Sequence, residues 1–282
     1  MATSTPSTAY SRDLGEELRK VRESSTDLTG AAFALRLGWD PSKVSTLERG
    51  KYCPSEIDLV QYLSMCGKDI DFFEDFKRRF KNAFEEYIVQ VSDNLRTLAI
   101  AESTARTITS YDAQAIPGLS QTPEYADSLY RMGGYIVEER IPAVVKWRME
   151  RQAILNRHDR PACLFYIHEH ALRTEVGGAR VMEDQYAKLL FGAPRIRIVP
   201  ASAQLVATSC VLWEYDKAMP IAFTSTDLAK VFVQDPGAIA RTRLLFERLA
   251  EVALSEEQSR TVLADHVGRP REELHERGPR LA

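Results

Sequence analysis

Residues Thr29–Gly50, TGAAFALRLGWDPSKVSTLERG, decide how the first quarter of this chain folds. Thr29 is a helix N-cap, a side-chain acceptor for an otherwise unpaired backbone N–H. Phe33, Ala34 and Leu37 then share one face, and Ala34 is small where a second helix must approach. Gly38 supplies the positive φ of a short turn. Asp40 caps a second helix that Pro41 opens, a position where the missing N–H costs nothing. Val44 and Leu47 turn inward, so Ser42, Lys43, Ser45, Thr46 and Arg49 are left outward, and Gly50 stops the helix. Two short helices crossing over a small residue, the second polar on its outer face, have the geometry that enters a DNA major groove.

The pattern extends on both sides. Leu14, Leu18 and Val21 repeat at helical spacing before the stretch. Ile57, Leu59, Val60 and Leu63 follow it, with breaks at Ser24-Ser25, Pro54 and Gly67. Five short helices within residues 12–70 make an all-α domain. Residues 71–98 predict a linker helix, one long one or two broken near Ser92. Its Phe72, Phe76, Phe80 and Phe84 form a stripe suited either to a dimer interface or to packing inside its own domain. Its basic run of Lys77, Arg78, Arg79 and Lys81 is expected to face water. Residues 1–11 are polar, lack the apolar centre of a secretory signal, and are expected as a flexible tail.

Over the whole chain, 282 residues with 44% hydrophobic and 27% charged content exclude collagen, a disordered polymer and a disulfide-stapled miniprotein. No apolar run approaches the roughly 18 to 20 residues that cross a bilayer, so a cytoplasmic protein without membrane contact is expected. Net charge is −3, so any nucleic-acid contact is confined to a small face. From Arg12 to Cys66, eight Lys or Arg stand against nine Asp or Glu. Binding through released counterions is then weak for one copy, and a homodimer on a palindromic double-stranded operator is the expected solution. Cys53, Cys66, Cys163 and Cys210 form no C-x-x-C pair and have apolar neighbours, as buried free thiols do in a reducing compartment.

Residues 99–267 predict an α+β domain with a small mixed or antiparallel sheet. Ala162–His168, Arg195–Val199, Val211–Tyr215, Ile221–Thr224 and Val231–Val233 are the expected strands. Thr122-Pro123, Asp235-Pro236 and the capping box Ser255–Gln258 start helices, and Glu138–Asn156 and Val181–Phe191 are helical stretches. Residues 268–282 are charged and expected to fray.

The ordered set Thr29, Phe33-Ala34, Leu37-Gly38, Ser42, Val44, Leu47-Glu48 and Gly50 resembles the Xre-type helix-turn-helix of the phage-repressor superfamily. The likeness runs from Leu14 to Cys66. Gly30 and Pro41 stand where that family often has glutamine, so an amide that reads adenine is missing. Readout then shifts to Ser42, Lys43 and Thr46, with Arg49 or Lys51 on phosphate, and Thr29 and Ser45 are further DNA-binding candidates. A second resemblance rests on Ile116–Ala126, Arg148–Gln152, His168–Arg173 with Gly177-Gly178, Val181-Met182 with Gln185, and Arg195–Pro200. These segments look like the actinobacterial domain of uncharacterised function that follows such heads in antitoxin-like regulators. Ser120 and Trp147 depart from its usual residues. It implies either a transcriptional regulator whose C-terminal domain takes an effector or small partner protein, or an antitoxin-type module. The latter would neutralise a partner encoded beside it and regulate its own operon.

Arg148, Arg151 and Gln152 lie within one helical turn and are candidates for an anion, a carboxylate or an internal acid such as Glu169. Two histidines, His168 and His170, would share a strand face, but no third ligand has the right spacing, so no metal is expected. No G-x-S-x-G, P-loop, G-x-G-x-x-G or H-E-x-x-H is present, so no enzyme and no cofactor are expected.

Overall fold

The computed structural model describes residues 7–80, 83–84, 87–90, 96–205, 207–226 and 229–267. Five helices come first: α1 (Ala9–Ser25), α2 (Gly30–Leu37), α3 (Pro41–Glu48), α4 (Glu56–Met65) and α5 (Ile70–Phe80). Strand β1 (Tyr87–Gln90) and helix α6 (Arg96–Ser103) follow. Next are β2 (Thr107–Asp112), α7 (Pro123–Gly133), α8 (Ile141–Arg151), β3 (Ala162–His168), α9 (Glu169–Arg173), α10 (Ala179–Phe191) and β4 (Arg195–Val199). The chain closes with β5 (Cys210–Glu214), β6 (Ile221–Ser225), β7 (Lys230–Val233), α11 (Pro236–Val252) and α12 (Glu256–Val267). It divides into two compact units, residues 1–104 with 214–239, and residues 105–213 with 240–282.

In the first unit, α1 to α5 enclose Leu14, Leu18, Phe33, Ala34, Val44, Leu47, Leu59, Tyr62 and Leu63. The crossing of α1 over the end of α3 admits only glycine. A Cβ on Gly15 would lie 2.6 Å from Glu48 O, and one on Gly50, at φ +66°, would lie 2.3 Å from Ser11 O. Phe73, Phe76 and Phe80 are buried in this same core, and Phe72 and Phe84 pack against it. The phenylalanine stripe is therefore an internal wall and not a dimer interface.

Two sequence expectations are corrected here. Residues 8–11 are not tail: Thr8 Oγ1 accepts Ser11 N at 2.9 Å, Ser11 Oγ accepts Thr8 N at 2.9 Å, and this capping box starts α1 at Ala9. Nor is 71–98 one helix. It ends at Phe80, because Tyr87–Gln90 pairs antiparallel with β7, Tyr87 opposite Val233 and Gln90 opposite Lys230. The partner is about 140 residues away, so helical spacing within 71–98 carries no trace of it. Strand β6 pairs on the other edge of β7. Further contacts tie α1 to distant segments of its unit. Ala9 N donates to Gln234 Oε1 at 3.2 Å, Asp13 accepts from Thr97 Oγ1 at 2.8 Å and faces Arg96 at 2.8 Å, and Arg12 lies over the Tyr215 ring.

In the second unit the strands run β5-β2-β3-β4. The β2–β3 and β3–β4 pairs are parallel, Thr107 opposite Ala162 and Leu164 opposite Arg195. Helices α7 and α8 cross between the first pair, and α9 and α10 between the second. The C-terminal region thus mixes parallel and antiparallel pairs. Thr122 caps α7 and Asp235 Oδ1 accepts Ala238 N at 2.7 Å at the start of α11. Ser255 and Gln258 form their capping box, with bonds of 3.1 and 2.9 Å. Cys66 and Cys163 are buried, but Cys53 is exposed and Cys210 half-buried, so not every thiol is enclosed. Lys81, residues 1–6 and the tail 268–282 lie outside the described residues.

Candidate nucleic-acid interface

Helix α3 is fixed from its inner side. Glu48 Oε1 accepts Arg22 Nε at 2.7 Å, Oε2 accepts Arg22 Nη2 at 3.0 Å, and Tyr62 Oη donates to Oε1 at 2.6 Å. The Arg22 and Glu48 side chains are only 6% and 9% exposed, so this is a buried fork joining α1, α3 and α4. The bond to Glu48 holds the Arg22 guanidinium above its ordinary value, and burial, then Glu48, push the Tyr62 phenol far up. Sequence reasoning missed this network, though Glu48 is the one acid in the run Pro41–Arg49.

A second set of bonds captures a residue expected to read bases. Lys43 Nζ lies 2.6 Å from Asp58 Oδ1 and 4.0 Å above the Trp39 ring centroid. Tyr52 Oη donates to Asp58 Oδ2 at 2.8 Å, and Ser55 N donates to the same oxygen at 3.0 Å. Burial works against the charged Asp58 carboxylate, but the bonds from Lys43, Tyr52 and Ser55 outweigh it and hold it below its usual range. Burial and then Asp58 push the Tyr52 phenol up to about 12. The Lys43 ammonium is thus folded onto α4 and not extended from α3.

The outer face of α3 carries small groups. Ser42 is exposed, Ser45 and Thr46 are half-buried, and Thr46 Oγ1 donates back to Ser42 O at 2.8 Å. Exposed Arg49 lies along the helix, Nε donating to Ser45 O at 2.9 Å and Nη2 to Ser45 Oγ at 2.6 Å. Lys51 is exposed, and Thr29 caps α2 by accepting Ala32 N at 3.3 Å. Beside this face an open groove of about 530 Å³ is lined by Arg19 of α1, Gly30 and Ala31 of α2, and Ser45 and Arg49 of α3. The structure therefore gathers Thr29, Ser42, Ser45, Thr46, Arg49 and Lys51 on or beside two short helices, adds Arg19, and withdraws Lys43.

The C-terminal candidates do something else. Arg148 Nη1 donates to Gln121 Oε1, and its guanidinium lies 4.5 Å over the Tyr130 ring. Gln152 Nε2 donates to Gly118 O and Gln121 O, both at 2.9 Å, and Lys188 Nζ to Gln121 O at 2.7 Å. Fully buried Gln185 accepts Thr122 N at 2.8 Å and donates to Ser120 O at 2.7 Å. Together these side chains clamp the 116–122 loop onto α8 and α10. Arg151 lies over Trp147 instead, at 4.8 Å. Glu169 pairs with Arg173 and accepts Ala201 N at 2.8 Å, so the loop, and not Glu169, is what Arg148 and Gln152 organise. His168 caps α9 through Nδ1, which ends the strand before His170 and removes their common face. Among the described residues no group of three His, Cys, Asp or Glu could hold a metal ion. Asp112, at the carboxyl end of β2, accepts from Ser110 Oγ at 2.7 Å, and burial pushes its carboxyl up to about 7.

Residues 13–71 match a helix-turn-helix domain, the module of DNA-binding regulators. Residues 95–265, more than half of the chain, match a domain of unknown function, DUF5753. The chain belongs to the DUF5753 family. No curated protein matches this DUF5753 chain, and no solved structure does. Among its described residues no helix is long and apolar enough to cross a membrane.

Proposed function

We propose that this DUF5753 protein is a sequence-specific transcriptional regulator of the Xre type, acting in the cytoplasm as a homodimer on a palindromic operator. The observation that carries the reading is the α3 surface. An eight-residue helix, locked from behind by Arg22, Glu48 and Tyr62, presents small hydroxyl groups outward with Arg49 at its end. Ser42, Ser45 and Thr46 then meet base edges, which suits close approach to a groove floor and thymine methyl groups. Arg19, Arg49, Lys51 and the N-terminus of α2 beginning at Thr29 serve the phosphates. Lys43 acts as a positioning residue that ties α3 to α4. No catalytic step belongs to this reading. Effector or partner binding stays with the C-terminal region but not with Arg148 and Gln152, whose donors are directed at loop carbonyls.

Selection of bound duplexes from a random pool, with the full chain, tests the reading. One enriched two-fold motif is the expected result. Ser45→Glu should abolish its binding, while Arg49→Ala weakens all sequences alike and lowers the salt slope by about one. A pool without enrichment, or a motif bound equally by Ser45→Glu, refutes α3 as the reader.

A further inference from the structure

We propose that the turn between α7 and α8 is the surface through which two copies of this chain associate. Met132, Tyr135 and Val137 would face their counterparts in the second copy. The inference rests on the dimeric regulator reading and names the contact that reading leaves open. Within six positions these three side chains are 58%, 75% and 61% exposed, an unusual density of large apolar surface in water. The turn that carries them is nevertheless held in one shape. Arg131 reaches back to Asp127, at 2.6 and 3.2 Å, and forward to Glu138, while Gly134 caps α7 by donating to Tyr130 O at 3.3 Å. A pinned turn loses little freedom on docking, so its apolar area is available to drive association.

Charge selects the occupant. From Asp127 to Arg140, the stretch that carries the turn, three acidic and two basic side chains are interspersed, a near-balanced set. A two-fold contact sets a patch against itself, so a patch of one sign would repel its own copy, whereas a balanced one does not. A strongly charged partner would instead be met by a patch of opposite sign. The head supplies the need: with eight bases against nine acids between Arg12 and Cys66, it gains most from being presented twice on one duplex.

The test is sedimentation equilibrium of the full chain at micromolar concentration, with Tyr135→Glu/Val137→Glu compared with Ile57→Glu/Val60→Glu, which alters the head's own exposed apolar pair. The expected result is a wild-type dimer, weakened about 100-fold or more by the first variant and kept by the second, with both variants still melting cooperatively. If the glutamate variant loses its melting transition, Tyr135→Ser/Val137→Ser takes its place. A dimer that survives the turn variant overturns the inference and leaves the dimeric reading standing. A wild-type monomer that still binds a palindromic duplex tightly overturns both. A wild-type monomer that forms a complex with a small protein encoded nearby, lost in the turn variant, gives this face to that protein and overturns the assignment to a second copy.

Discussion

Glu48→Ala strands a buried guanidinium, and its cost can be worked from the contacts. Arg22 loses both bonds of its fork while its side chain is only 6% exposed, so water cannot replace them. It keeps the bond to Leu28 O at 2.9 Å and a looser, exposed pairing with Glu23 Oε1 at 3.6 Å. Breaking a buried pair by removing one partner costs about 3–5 kcal/mol. Tyr62 adds less, since its hydroxyl still lies 3.2 Å from Leu18 O. The expected loss is therefore about 3–5 kcal/mol, a large share of the roughly 5–15 kcal/mol that holds a domain folded. Urea unfolding reads the total. Hydrogen exchange places it, with amides of α1, α3 and α4 exchanging roughly 10²- to 10⁴-fold faster. The double variant Arg22→Met/Glu48→Leu removes both charges and should recover most of the stability. A single variant costing under about 1 kcal/mol, or a double variant no better than the single one, would refute the assignment of this fork as the lock on α3.

Three further outcomes are expected. Asp112 takes up its proton more readily folded than unfolded, so its contribution to stability falls as pH rises from about 4 towards 7 and then levels, and the difference between wild type and Asp112→Asn in urea titrations should follow that curve. Gln185→Leu leaves Ser120 O and Thr122 N buried without their bonds, at about 1–3 kcal/mol each, and a melting temperature within a degree or so of wild type would show that the loop does not need its clamp. Arg12→Met removes a buried guanidinium whose desolvation works against its charge, so stability should hold or rise, and a loss above about 2 kcal/mol would mean that its contact with Tyr215 matters more than its desolvation.

What the sequence makes legible is local. Thr29, Asp40, Thr122 and the Ser255–Gln258 box each act within three residues, and each caps a helix where its spacing says it should. Ala162–His168 and Arg195–Val199 are short runs enriched in β-branched and aromatic residues and form strands over those residues. Apart from the Thr8–Ser11 capping box, which is local, the failures involve a partner outside the element itself. Tyr87–Gln90 is a strand only because Lys230–Val233 lies beside it. Thr107–Asp112 went unread as a strand because Ser110 and Asp112 interrupt its apolar alternation, although β3 pairs with it along its whole length. Lys43 reads as an outward cation until Asp58 and Trp39 are known to flank it. Arg148, Arg151 and Gln152 share one helical turn in the sequence, but the targets are not marked there: Arg148 donates to the Gln121 side-chain oxygen and Gln152 to the backbone carbonyls of Gly118 and Gln121, groups that no pattern picks out.

The ties of α1 also set a clock. The last partners of the DNA-binding head are Gln234, which takes the Ala9 N–H, and Lys230–Val233, which completes the edge beside Tyr87–Gln90. A nascent chain therefore completes the helix-turn-helix match, ending at residue 71, some 160 residues before these last ties can form. At about 5–20 residues per second, synthesis takes roughly 10–30 s to deliver them. Throughout that interval the Ala9 N–H lacks its final acceptor, and the head cannot reach full stability until most of the DUF5753 domain has been made.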